Sequence, residues 1–373
     1  MNMDRQYYLD LAAHELKMPI ATDLVLHEQD DPQAILLDGQ RLGHVLAEAA
    51  RRYQTPLALP VMNLELEKEH LLHLLGIEED PATYHFSSAP GPAIAARLQQ
   101  QLSEPLSAPM QAVCEALSTL REETDLQPVG MCIGPFSLMT KLVSDPITPI
   151  AMAGMGLTAD EEASIGLVEE VIALSTALLE RYLRAQAAAG AKAVVICEPA
   201  ANVVYLSPNQ IERGADIFER FVMQPLLGLR EVLRELDVDL IFHDCGELTD
   251  HMVSEFVRLD PALLSLGSSR ILWEDARLLP KDIVLYGNLP SKRFYSDREM
   301  TVAQVQEGGL ELLRRMREAG HPFILGSECD ILSVPGAEQT LREKALAIVT
   351  CGAPQPLSGC CSSEVAWQSA ASS

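Results

Sequence analysis

The sequence predicts an α/β protein of the (β/α)8 barrel class, with an N-terminal extension and a loop-and-helix insertion near the barrel mouth. Three observations carry that prediction. Eight short apolar runs alternate with amphipathic helical stretches along the chain. Several of the runs are apolar without a break, as parallel strands covered on both faces are. No GxGxxG follows the first run and no GxxxxGK[ST] occurs anywhere, so the marks of the competing open, doubly wound sheet are missing.

In chain order the predicted strands are "MPIATDLVL" (18–26), "PLALPVM" (56–62), "PVGMCIG" (128–134) and "AVVICEP" (193–199). Four more follow: "LIFHDCG" (240–246), "LLSLGSS" (263–269), "IVLYGNL" (283–289) and "PFILGSEC" (322–329). A long helix is expected from near Thr158-Ala159-Asp160-Glu161, where a capping residue precedes early acids. It ends at Gly190, a residue suited to a left-handed helix stop. Another starts at Ser207-Pro208, with serine as cap and proline in the first turn. "TVAQVQEGGLELLRRMREAG" (301–320) again runs to glycine just before a strand. Residues 75–127 are loop-rich and then helical, and are assigned to the insertion. A single barrel domain is expected over 1–355. The small, polar, proline-bearing tail 356–373 is expected to lack order.

Composition narrows the functional classes. With 53 acidic against 28 basic residues the net charge is −25, which repels phosphate backbones and anionic bilayers and argues against nucleic-acid or membrane binding. The first residues, "MNMDRQYYLDLAAHELK", are charged throughout and lack the apolar core of a signal peptide. A cytoplasmic protein is the expectation. Its eight cysteines (Cys114, Cys132, Cys197, Cys245, Cys329, Cys351, Cys360 and Cys361) are then core residues, metal ligands or reactive thiols before they are disulfides.

In a barrel the chemistry gathers at the C-terminal ends of the strands. Those ends carry Gly134-Pro135, Glu198-Pro199, His243-Asp244-Cys245, Gly287-Asn288 and Glu328-Cys329-Asp330. Side chains two apart on a strand share a face, so His243 and Cys245 point one way and Asp244 the other. Zinc takes sulfur and imidazole nitrogen, and a catalytic zinc keeps one position open. His243, Cys245 and Cys329 are three ligands of that kind, and closure of a barrel removes the 84-residue separation between the two cysteines. The plainer alternative is that Cys245 and Cys329 fill space beneath the loops. Glu198, Asn288 and Met155, the last from "DPITPIAMAGMG" (145–156), are candidate substrate contacts. Cys132 and Cys197, inside apolar runs, read as core. His70 and His73 read as a solvated helix edge, and Cys360-Cys361 as incidental.

The HDCG at a strand end, Cys329 followed by "ILSVPGAEQTLREKA", "CIGPFSLM", "LYGNLPS" and "VMNLELEKEHLLHLLGI" together resemble the uroporphyrinogen decarboxylase superfamily over roughly residues 15–350. More narrowly they resemble its cobamide-dependent branch, the methylcobamide:coenzyme M methyltransferase type. The resemblance implies a TIM-type barrel, zinc held by His243, Cys245 and Cys329, and transfer of a methyl group from a methylated corrinoid (cobalamin) protein to a small thiol. Tetrahydrofolate as acceptor is the alternative, because some relatives use it. Tetrapyrrole decarboxylation fits less well. "LKMPIATDLVL" lacks the paired arginines of that branch, and Asn63 stands at the place of its functional aspartate. Two further departures are "GSECD" (326–330) in place of a glycine-rich setting for the last cysteine, and "GNLPS" in place of Gly-Asn-Leu-Asp-Pro.

Overall fold

The computed structural model describes residues 4–352; the tail 356–373 and Cys360-Cys361 lie outside the described residues. Eight strands are present: β1 (Lys17–Met18), β2 (Leu57–Ala58), β3 (Gln127–Ile133), β4 (Ala193–Cys197), β5 (Asp239–Asp244), β6 (Leu263–Leu266), β7 (Val284–Leu289) and β8 (Phe323–Ser327). All neighbours pair in parallel, in the order β1-β8-β7-β6-β5-β4-β3-β2. Among the described residues no ladder joins β1 to β2. The gap is crossed instead by the Thr22 hydroxyl, which donates to the Leu59 carbonyl at 2.9 Å.

Strand alternation separates two cores. Met18, Leu57, Val129, Val195, Ile241, Val284, Tyr286 and Ile324 pack together inside the barrel. Their neighbours Val194, Leu240, Phe242, Leu264 and Leu325 pack outward against the helices. The N-terminal helix Arg5–Ala13 closes the bottom of the barrel. Its Tyr8 is fully buried in the inner core, and Arg5 donates to the Pro261 carbonyl and pairs with Asp260. The active end is therefore the opposite, C-terminal mouth.

Helix limits follow local chemistry. Val302–Ala319 opens with a reciprocal capping box between Thr301 and Gln304 and stops at Gly320, in the left-handed region at φ 61°. Ala163–Ala189 stops at Gly190 as expected, but starts at the Glu162 cap rather than near Thr158. The reason is that Glu161 folds back onto the Thr158 amide and hydroxyl, closing a separate turn. Pro208–Glu212 follows Ser207, whose side chain makes no capping bond.

Three further expectations need correction. The first predicted strand, 18–26, is a two-residue strand followed by the helix Thr22–Leu26, buried at every position; a continuous apolar run does not separate a buried strand from a buried helix. The second, 56–62, pairs only at Leu57–Ala58. Third, His70 is not at a solvated edge: it is fully buried and its Nε2 accepts from Arg181 at 2.9 Å, while His73 alone is exposed. The second half of 75–127 is the helix Ala108–Glu123, which packs on Gly39–Arg52 and Ala163–Ala189 as part of the outer ring.

Where β2 stops, side chains take over the edge of β3. The Met131 amide donates to Gln186 Oε1 at 2.8 Å, and the Ile133 amide to Glu67 Oε1 at 3.1 Å. Gly130 permits the first contact, since a Cβ there would lie 2.1 Å from that Gln186 oxygen. Glu67 is 1% exposed and its other oxygen has no partner. Burial pushes its carboxyl up to about 7. A carboxyl with a folded value above the unfolded one stabilises below about pH 4.5 and loses that contribution as pH rises toward 7, because the unfolded chain ionises first. Glu67→Gln is expected to remove roughly 2–3 kcal/mol of this fall. Unfolding midpoints of both proteins between pH 4.5 and 7.5 test it, and parallel curves would count against it.

Candidate metal centre

His243 and Cys245 reach the mouth from β5 and the turn after it, on the inward row that begins at Ile241. Cys329 arrives from the segment following β8, which sits one strand from β1. One ligand atom from each of the three lies within 4.8 Å of the others. Tetrahedral zinc needs about 3.5–3.8 Å between such atoms, a closing movement within side-chain reach.

The imidazole is already oriented. Nδ1 meets Ser265 Oγ at 2.8 Å, in the register where β5 and β6 pair His243 with Ser265. Nε2 is buried and has no hydrogen-bond partner. If Nδ1–H donates to the hydroxyl, Nε2 presents a free lone pair toward the two sulfurs, the second-sphere arrangement of metal-bound histidine. An orphaned buried nitrogen beside two thiols fits a thiophilic dication; it is a poor packing solution for an apolar core.

The two sulfurs lie close enough to shift each other's acidity. Donation from Cys329 holds the Cys245 thiol far below the ordinary range, with His243 and Lys292 adding to it against burial. The same contact, together with burial, pushes Cys329 up. Cys329 Sγ also lies 3.8 Å from Met62 Sδ. Tyr286 reaches across β8 to β1, its hydroxyl donating to the Met18 carbonyl at 2.6 Å. Gly326 leaves room for that ring, since a Cβ would sit 2.3 Å from it. This gives a local reason for glycine in "GSECD".

The other sequence candidates stand elsewhere. Glu198 is fully buried and its oxygens accept from the Phe136 and Ser137 amides at 3.3 and 2.5 Å, capping the helix Pro135–Leu142. Burial pushes its carboxyl up to about 7, the Ser137 donors opposing. The Asn288 amide donates to the Gly267 and Arg270 carbonyls at 2.8 and 2.9 Å, tying β7 to the loop after β6. Met155 is 66% exposed, just past the helix Ile147–Gly154. Asp244 faces outward as expected, accepting from the Gly246 amide at 2.8 Å. Asn63 accepts from the Glu65 amide and lines an apolar cleft of about 280 Å³ with Leu46 and Val61, a cleft that includes none of the trio. Cys132 and Cys197 are fully buried core, on the outer and inner faces respectively.

Reading strand ends alone missed Ser265, Met62 and Lys292. Ser265 was the most accessible of these, the one polar residue inside the apolar run "LLSL" (263–266). Lys292 sits three residues past the seventh strand's end in "GNLPSK", and nothing in its neighbours marks it.

Comparison with known proteins supplies the lineage. Residues 75–338 match the family model described as uroporphyrinogen decarboxylase (URO-D). Over 140 residues the chain is 25% identical to the methylcobamide:CoM methyltransferase MtbA of Methanosarcina acetivorans, a match covering 37% of this chain. That match spans only 36% of the MtbA length. A solved structure titled as a methyltransferase from Methanosarcina mazei superposes with a TM-score of 0.62 at 17% identity, covering 92% of this chain and 98% of that one. It shares the barrel. With a family match running from the helix Leu66–Leu75 to the helix after β8, this chain belongs to the uroporphyrinogen decarboxylase (URO-D) family.

Proposed function

We propose that the protein is a zinc-dependent methyltransferase that moves a methyl group from a methylated corrinoid, carried by a partner protein, to a small thiol. The observation that carries this reading is the convergence of His243, Cys245 and Cys329 with His243 Nε2 left unpartnered. The printed name of the relative MtbA, a methylcobamide:CoM methyltransferase, supports the donor and acceptor classes.

His243, Cys245 and Cys329 would hold the ion, leaving a fourth position for substrate. Zinc bound there would supply Lewis acidity, keeping an incoming thiol as its thiolate at neutral pH. The chain's own contribution is placement. Ser265 fixes the imidazole, and Tyr286 ties β7 to β1 across β8. No general acid is needed, because the attacking sulfur arrives deprotonated and the leaving group is reduced cobalt, which keeps the bond's electron pair.

A corrinoid protein must bring its methyl group to the mouth, and the mouth is apolar at its rim. Met155, Val204, Ile271, Tyr295, Leu332 and Val334 are exposed large hydrophobics on the segments after β3, β4, β6, β7 and β8. Such a ring suits a macromolecular carrier better than a free small donor. Among the described residues no helix is long and apolar enough to cross a membrane. We place the protein in the cytoplasm, where thiols stay reduced.

The test is demethylation of methylcobalamin by the zinc-loaded protein, followed by the absorbance change of the corrinoid. Thiol acceptors such as 2-mercaptoethanol should support turnover, while tetrahydrofolate should not. Turnover with tetrahydrofolate alone would overturn the thiol assignment, and release of carbon dioxide from uroporphyrinogen would overturn methyl transfer.

A further inference from the structure

At the end of the barrel opposite the metal centre, a cavity of about 470 Å³ lies between the N-terminal helix Arg5–Ala13 and the helix Val302–Ala319. Leu9, Ala13, Leu313, Met316 and Phe323 give it apolar walls, and the Arg317–Glu15 ion pair, at 2.6 Å, adds to the lining. His321, 6% exposed, belongs to the same wall. Its Nε2 lies 2.9 Å from the Ile283 carbonyl, which can only accept, so Nε2 carries the proton and Nδ1 keeps a lone pair. That Nδ1 is buried and has no partner among the described residues. Burial lowers the pKa of this histidine, which keeps the ring neutral. None of the groups assigned to methyl transfer lines this cavity.

The described chain leaves the fold on the same helix. A Cβ at Gly352 would lie 3.6 Å from Leu310 Cδ2. Leu310 is 50% exposed, and Leu346, on the neighbouring helix Glu338–Val349, is 43% exposed. Leu310, Leu313 and Arg317 are spaced i, i+3, i+7 and share one helix face. A partly apolar strip therefore runs from the exit point to the cavity. The 21 residues 353–373 follow, with one charged side chain, Glu364, in a chain of net charge −25. Acidic surface repels such a segment less than it repels the rest of the chain. Its one aromatic, Trp367, has the bulk to occupy the cavity and a ring N–H donor of the kind that Nδ1 lacks. Residues 353–366 can span up to about 46 Å, whereas Leu310 to Arg317 is about 10 Å along the helix.

We propose that residues 353–373 dock on this face of their own chain, with the Trp367 indole in the cavity between Arg5–Ala13 and Val302–Ala319. The docked segment ties the N-terminal helix to the helix before β8 and so straps the closed end of the barrel. The small, polar composition that argues against order in 356–373 leaves Trp367 out of account.

The test uses the full chain with Trp273→Phe, which keeps a ring beside Arg315 and leaves Trp367 as the only tryptophan. Quenching of its fluorescence by acrylamide, a neutral probe, reads its exposure. A tether presents the segment at about millimolar effective concentration, so a site of about 0.25 mM affinity is roughly four-fifths filled and quenching falls about fivefold. Leu313→Glu and, from the opposite wall, Ala13→Glu place a charge in the cavity. Each should restore full quenching while the circular dichroism stays that of the parent protein. Fast quenching without either substitution overturns the proposal, as does protection that survives either one. Protection lost on dilution of the protein overturns docking within one chain and assigns the cavity to a second copy.

Discussion

Replacing Cys329 with serine is expected to reduce bound zinc from about one per chain to below roughly 0.1, and to lower methyl transfer to thiols at least about a hundredfold. The size of the effect follows from coordination. A hydroxyl is a far weaker donor than a thiolate at neutral pH, and the two remaining ligands, His243 and Cys245, leave the ion half open. The fold should survive. Cys329 is only partly buried, beyond the end of β8, and its sulfur's hydrogen-bond partner is the Met62 sulfur at 3.8 Å. Thermal unfolding within a few degrees of wild type would establish that the metal, not the barrel, was lost. Cys132→Ala is the control. That thiol is fully buried on the outer face of β3 and should leave zinc unchanged. Equal zinc in wild type and Cys329→Ser would remove Cys329 from the centre and the proposed chemistry with it.

The opposite profile is expected for Glu198→Ala: a large loss of stability with zinc per folded chain unchanged. Glu198 accepts two backbone amides at the start of the helix Pro135–Leu142, and Ser137 in turn accepts the Ala200 amide through its hydroxyl. Alanine would strand both helix amides in a dry site, at about 1–3 kcal/mol each, less whatever is regained by no longer burying a carboxyl. A net cost of about 3 kcal/mol is expected, seen as a fall of roughly 5 °C in the unfolding midpoint. Glu198→Gln, which keeps one acceptor, should recover part of it. A stable Glu198→Ala protein with impaired acceptor binding would instead return Glu198 to the substrate-contact role that its place at a strand end suggests.

These two residues show how far strand ends can be read. Both lie just past an apolar run on the same face of the barrel, and a one-dimensional pattern treats them alike. Cys329 meets partners contributed by β5, whereas Glu198 meets the amides of a helix that follows the neighbouring strand β3. Which of these happens depends on the direction each side chain takes after its strand has ended, where the two-residue alternation no longer applies. His70 makes the same point on a helix: periodicity places it beside His73, but only the packing of Arg181 against it decides that it is buried.

By itself the sequence determined the barrel class, the inward pairing of His243 with Cys245, and Asp244 facing away. All three rest on local periodicity and on donor chemistry, which need no partner to be known. The tertiary structure alone decided that Ser265 orients the imidazole, that β1 and β2 are short and unjoined, and that Glu198 caps a helix. Each of those depends on contacts between residues far apart in the chain. Closure of the sheet creates those contacts, and no spacing along the sequence encodes them.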